Sequence, residues 1–242
     1  MSKTAILVDG SFYLHMAKKA WGEKSPEVRA DELHKYALSH IRVRRFAAEE
    51  DSRRSLYRIF YYDCPPATGI SIKQPWNRRN ATFSSKRGSG KWRSRFLAEL
   101  AGKRKVAMRM GEVSFKHARF IPTERAIDDL ISGRRVFGDL GPDDFVPTGI
   151  KQEGVDMRIG LDVASLASGK IVDQIILIAG DSDFIPVAKA ARRAGIDFIV
   201  DPMGHKIHDE MKVQVDAVED LSGISDYDES EIVANELEYH TN

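Results

Sequence analysis

Ten residues, Ile175-Ile176-Leu177-Ile178-Ala179-Gly180-Asp181-Ser182-Asp183-Phe184, constrain this chain more than any others. Apolar residues at successive positions suit a strand covered on both faces, the central strand of a parallel sheet. The run stops at Gly180, and two carboxylates follow with one serine between them. Beyond them Phe184, Val187, Ala188, Ala191 and Ala194 recur at helical spacing until Gly195 ends the pattern. Asp181 and Asp183 therefore sit on a strand-to-helix turn at the carboxyl end of a strand, where open α/β sheets place their ligands. A capping role for Asp183 and a turn preference for Asp181 would account for either acid alone. A functional role requires other strand ends to bring acids to the same edge.

The chain before this stretch supplies such ends. Ala5-Ile6-Leu7-Val8 reads as a short buried strand ending at Asp9-Gly10, with a helix from Ser11, an N-cap type residue, to Ala20. Pro26 and its polar neighbours read as a loop, and Asp31 to about Ala48 as a second helix with Leu33, Tyr36, Ala37, His40 and Ile41 on one face. Leu56–Tyr62 is a strand closed by Asp63 and broken by Pro65-Pro66. Residues 67–90 show no regular pattern, Arg95–Ala101 suggests a turn or two of helix, and Val106–Met110 with Val113–Phe120 suggests paired strands around Gly111-Glu112. Pro122–Pro147 has no clear period. A helix from Glu153 to about Ser168 carries Val155, Ile159, Val163 and Leu166 on one stripe, and Ile196–Val200 is a last strand ending at Asp201-Pro202. Short apolar strands alternating with amphipathic helices at both ends of the chain predict an α/β fold with a doubly wound, mainly parallel sheet. On this reading residues 1–221 are one domain with a basic insertion at about 64–122, and residues 222–242 are an acidic tail.

In a parallel sheet Asp9, Asp63 and Asp181 lie on one edge, and Asp156 begins a helix. Asp162, six positions further on, falls about 20° from Val155 on the helical wheel, inside the apolar stripe. A carboxylate there needs a partner, and pairing with an arginine or lysine is the plainer expectation. Acids gathered at one point repel one another, and a hard divalent cation is the usual reason to hold them together. Magnesium takes oxygen ligands, commonly one or two carboxylates plus waters and substrate phosphates, and such ions support phosphodiester cleavage.

A formal net charge of +1 hides a strong asymmetry. Lys73 to Arg109 holds twelve basic residues and one acid, Glu99, whereas Asp201 to the end holds twelve acids against Lys206 and Lys212. Such blocks point to a polyanion partner for the basic part. Arg78, Arg79, Lys86, Arg87, Lys91 and Arg93, interleaved with Trp76, Phe83 and Trp92, suit a single strand gripped by phosphate pairing and base stacking. His205 and His208 lie three apart, but two histidines without a third partner do not make a metal site. Cys64, the only cysteine, precludes an internal disulfide and a cysteine-based zinc site and favours a reducing, cytoplasmic setting. The apolar part of Met1–Asp9 is too short for a signal peptide, and no run approaches the roughly 20 apolar residues that span a bilayer.

Ile6-Leu7-Val8-Asp9-Gly10, then Lys151-Gln152-Glu153-Gly154-Val155-Asp156-Met157 with Leu161-Asp162, then Ala179-Gly180-Asp181-Ser182-Asp183-Phe184-Ile185-Pro186, resemble the signature of the NYN domain family, here of the bacterial type. These are PIN-like, metal-dependent ribonucleases. The resemblance implies a PIN-like, Rossmannoid fold and cleavage of RNA, most simply single-stranded, and does not exclude DNA. It makes Asp9, Asp156 and Asp181 the acids binding Mg2+ or Mn2+, with Asp183 close behind and Asp63 as a further acid of the catalytic group. It leaves a homo-oligomer open. The chain departs from the family at Phe12, where many members carry asparagine. Gly180-Asp181-Ser182 also resembles the metal-binding motif of HAD-type phosphatases, but those need a second aspartate two residues after the nucleophile, and Ser11 stands there. The stronger rival is a non-catalytic RNA-binding module on the same PIN-like fold.

Overall fold

The computed structural model describes residues 2–42, 54–75, 80–84 and 89–223. In chain order the elements begin β1 (Ser2–Asp9), α1 (Gly10–Trp21), α2 (Pro26–Arg42), β2 (Arg54–Asp63), β3 (Thr68–Lys73), β4 (Asn80–Ser84) and α3 (Ser89–Ala101). They continue with β5 (Val106–Met110), β6 (Glu112–Ser114), β7 (Arg119–Pro122), α4 (Glu124–Ile131), β8 (Phe145–Thr148), β9 (Lys151–Glu153) and α5 (Val155–Ser168). The last are β10 (Gln174–Ile178), α6 (Ile185–Arg193), β11 (Asp197–Asp201), α7 (Asp209–Gln214) and β12 (Ala217–Val218). Two compact units result. The first comprises Met1–Asp63, Arg95–Met110 and Gly154–Asn242, the second Cys64–Ser94 and Gly111–Glu153.

The first unit is built on a six-stranded sheet in the order β12-β11-β10-β1-β2-β5. Every neighbouring pair is parallel. Helices flank the sheet, giving the doubly wound α/β architecture. β10 is buried at all five positions, as an unbroken apolar run in a sheet covered on both faces must be. Strand periodicity divides the core. Ala5, Leu7, Leu177, Phe198 and Val200 pack with Ile159 and Val163 of α5, Ala188 and Ala191 of α6 and Met211 of α7. Tyr61, on the opposite face of β2, meets Phe96 of α3 at 5.7 Å between ring centroids. Tyr36 of α2 lies 6.3 Å from Tyr13 of α1 and donates its hydroxyl to Asp201 at the end of β11.

Several boundaries differ from those the sequence suggests. Asp9, not Ser11, caps α1, its carboxylate accepting the Phe12 amide at 3.1 Å. Pro26 opens α2 instead of sitting in a loop. Its missing N–H is harmless in a first turn, and the Ser25 hydroxyl accepts the Val28 amide. The expected extension of α2 from Arg42 to Ala48 lies outside the described residues. The suggested hairpin of Val106–Met110 with Val113–Phe120 does not form. β5 instead extends the main sheet alongside β2 in the register Ile59↔Val106. Lys151–Glu153 is a strand, and Gly154 at φ 78° makes the left-handed step into α5.

The second unit consists of three antiparallel strand pairs, β3–β4, β6–β9 and β7–β8, with α4. α4 begins where the Thr123 hydroxyl accepts the Ala126 amide. Ala126, Leu140 and Phe145 form its small core. Lys91 and Arg93 fall on the α3 residues assigned to this unit. Arg78, Arg79, Lys86 and Arg87 lie outside the described residues, as does Trp76. Arg95, Lys103, Lys105 and Arg109 of the basic stretch belong to the first unit and have partners there. Arg95 pairs with Glu27, Lys103 with Asp31, and Lys105 donates to the Leu56 carbonyl. Among the described residues no helix is long and apolar enough to cross a membrane.

Candidate active site

Parallel pairing delivers the carboxyl ends of β1, β2, β10 and β11 to one edge; β1, β2 and β11 end in an aspartate, and β10 is followed by one. Asp9 is the last residue of β1 and sits opposite Tyr62 of β2. The chain turns into α1 at Gly10, where a Cβ would lie 2.7 Å from the Tyr62 carbonyl oxygen and still nearer the Tyr61 ring. Only glycine fits that passage, which explains the Asp-Gly pair in packing terms. Asp63 ends β2, is buried, and accepts the Tyr61 hydroxyl at 2.9 Å. Asp181 follows β10 by three residues and caps the short 3-10 turn Ser182–Phe184, accepting the Asp183 amide at 2.9 Å. Asp156 lies in the first turn of α5.

Electrostatics tie these groups together. Burial, helped by the charges of Asp156 and Asp63 and opposed by the Phe12 and Ser11 amides, pushes the Asp9 carboxyl up to about 6. Asp156 is raised as well, by partial desolvation and then by Asp181 and Asp183. Asp156 and Asp63 thus bear on Asp9, and Asp181 and Asp183 on Asp156. Among the described residues, no lysine or arginine forms an ion pair with Asp9, Asp156, Asp181 or Asp183. Nor does any group of three or more His, Cys, Asp or Glu side chains there stand ready to hold a metal ion by itself.

Two other carboxylates of the first unit contrast with this group. Asp162 accepts from Tyr62 Oη and Arg109 Nε, both at 2.8 Å, so the polar residue in the α5 stripe is satisfied by a cation. Asp201 is fully buried and accepts from Tyr36, from His40 Nε2 at 2.8 Å and from the Met203 amide at 2.7 Å.

An open cleft of about 670 Å³ adjoins the acids, its wall including Asp9 and Asp181 with Phe12, His15, His205 and His208. The sequence marks Phe12, His205 and His208 only singly and does not join them into this wall. Its signal was positional: Phe12 follows Asp9 by three residues, and His205 and His208 follow a strand that ends on the same edge.

Residues 124–220 match the family model described as NYN domain. The matched segment contains Asp156, Asp181 and Asp183, whereas Asp9 and Asp63 precede it. No curated protein matches the chain. A crystal structure of a protein of unknown function from Vibrio parahaemolyticus aligns over 92% of this chain and 94% of its own, with 15% identity and a TM-score of 0.44.

Proposed function

From the match of residues 124–220 to the NYN domain, a family of PIN-like nucleases, we propose that this protein is a metal-dependent ribonuclease acting on single-stranded RNA. The observation that carries the reading is that Asp9 and Asp156 are both raised, first by burial and then by neighbouring carboxylates, with no lysine or arginine among the described residues paired to either. Like charges are held together at a cost, and a site that binds a hard cation gains from that arrangement.

In this reading Asp9, Asp156 and Asp181 hold Mg2+ or Mn2+, with Asp183 behind them and Asp63 as a further acid of the catalytic group. All donors are carboxylate oxygens, the class such ions prefer, and one or two suffice for magnesium beside waters and phosphates. When bound, the ion supplies an activated water and stabilises the leaving oxygen of the phosphodiester. The chain's own contribution is positional. The Phe12 amide fixes the Asp9 carboxylate, the Asp183 amide fixes Asp181, and Tyr61 fixes Asp63. Arg78, Arg79, Lys86, Arg87, Lys91 and Arg93 bind the substrate backbone. Cys64 as the only cysteine accords with a cytoplasmic location.

The test is cleavage of labelled single-stranded RNA and DNA with Mg2+, Mn2+ or EDTA. Cleavage should require the ion and disappear in Asp181→Asn, while that variant folds and binds RNA as before. Full activity in EDTA or in Asp181→Asn would refute the assignment. Metal-independent RNA binding without cleavage would favour the non-catalytic RNA-binding module instead.

A further inference from the structure

We infer that the cleft beside the acids is a nucleobase pocket, in which one unstacked base of a single-stranded RNA lies on the Phe12 ring with His205 at its edge. The inference rests on the ribonuclease reading above. Phe12 is half-buried in the first turn of α1, and its amide is bound by the Asp9 carboxylate, so the ring is held at a fixed offset from that acid. His205 meets it edge-on at 6.0 Å between centroids.

The loop carrying His205 is built to keep it there. Met203 and Gly204 both adopt left-handed backbone, at φ 48° and 75°. Asp201 holds the Met203 amide, Asp220 holds the Gly204 amide, and the His205 amide returns to the Pro202 carbonyl, at 2.7, 2.7 and 2.8 Å. A left-handed methionine is uncommon and persists only when its surroundings enforce it. Across the cleft, a Cβ on Gly180 would stand 2.5 Å from the Phe12 ring and 2.9 Å from the His205 ring. The bare backbone at Gly180 is therefore what lets the two rings close on the turn that leads into Asp181.

The space and its chemistry suit a nucleotide. The volume of about 670 Å³ lies within the range of small-ligand sites. Buried Met16 adds an apolar surface for a base, and exposed Lys206 and His208 offer donors to a flanking phosphate. Stacking on an aromatic ring is tolerant of base identity, and each stacked base is worth roughly a 5- to 150-fold change in affinity.

The experiment measures dissociation constants by fluorescence anisotropy in EDTA, using a labelled single-stranded RNA and a series in which one abasic site is walked along it. The wild-type protein should lose roughly 5- to 150-fold in affinity at one abasic position only. In Phe12→Ala and Phe12→Leu that position should no longer differ from the others. The His205→Ala variant, which removes an exposed side chain, should reduce the difference and serves if the Phe12 variants fail to fold. Equal losses at every position, or a position effect unchanged in all three variants, would overturn the pocket. Metal-dependent cleavage by the wild type alongside such a result would leave the ribonuclease reading standing. A position effect that depends on Phe12, without any cleavage, would support the pocket and overturn the ribonuclease reading.

Discussion

Replacing Asp9 by asparagine should make the protein more stable at neutral pH while abolishing its activity. The displacement of the Asp9 carboxyl from 3.8 to about 6 means the folded state favours its protonated form. That displacement is equivalent to about 3 kcal/mol. The sign follows from linkage: below 3.8 the group is protonated in both states and costs nothing. The cost grows as pH rises from 3.8 to about 6 and is fully present above that. Asparagine keeps an oxygen to accept the Phe12 amide, so the helix cap survives and the ionised carboxylate alone is removed. The displacement already contains the repulsion by Asp156 and Asp63. Part of the cost is relieved by solvent in this half-buried setting, so Asp9→Asn should gain about 1–3 kcal/mol at pH 7.5. In a chain of this size that is a rise in melting temperature of roughly 2–12 °C. Thermal melts of both proteins in EDTA at pH 7.5 and pH 4 test it, with the gain expected to shrink strongly at the lower pH. An equal gain at both pH values, or a loss at pH 7.5, would refute the argument that Asp9 is held against repulsion.

Further outcomes follow from other parts of the chain. Changing Arg78, Arg79, Arg87 and Lys91 together to alanine should weaken RNA binding for all sequences alike. Plots of log affinity against log salt should flatten by about two to three units, at about 0.7 per phosphate contact. Arg109→Ala removes the cation from Asp162 and its contact over the Phe60 ring, and should cost about 1–2 kcal/mol in urea unfolding without changing turnover of the folded protein. His40 is buried, which opposes its charging, but Asp201 and Glu219 outweigh that and raise it above 6.5. The stability it contributes is therefore complete below 6.5 and lost as pH rises through its higher folded value, and His40→Gln should flatten that fall in melts across the range.

The parts of the fold legible in the sequence are those whose signal is local. β1, β2, β10 and β11 contain the apolar runs Ala5–Val8, Ile59–Tyr62, Ile175–Ile178 and Phe198–Val200, buried because both faces of the sheet are covered there. Pairing was not legible where it depended on a distant partner. Val106–Met110 reads as a strand, yet nothing in those residues says that its neighbour is β2 and not the strand just after it. α4 escaped because it is only eight residues long, too short for the helical spacing of Ala126, Ile127, Leu130 and Ile131 to repeat. The acids were legible as a set because each ends or follows a strand or opens a helix. The cleft wall was not, since Phe12 and His205 belong to different segments that the fold alone brings together.

Asp9 and Asp201 show how far a strand-end aspartate can be interpreted before its surroundings are known. Both close buried strands of the same parallel sheet, and in sequence both are followed by a residue suited to a turn. The fold surrounds Asp201 with Tyr36, His40 and the Met203 amide, and places the Arg54–Glu219 pair beyond His40, with guanidinium-to-carboxylate contacts of 2.9 and 2.7 Å. That carboxylate is satisfied from within, and its task is to hold β11 and the turn that presents His205. Asp9 receives the Phe12 and Ser11 amides, and the charged groups that bear on it, Asp156 and Asp63, are of its own sign. Asparagine at position 9 would keep the cap without the repulsion, so capping alone does not account for an ionisable group there. What distinguishes the two acids is the sign of the neighbouring charge. By that criterion a divalent cation has little to offer at Asp201 and most to offer at Asp9.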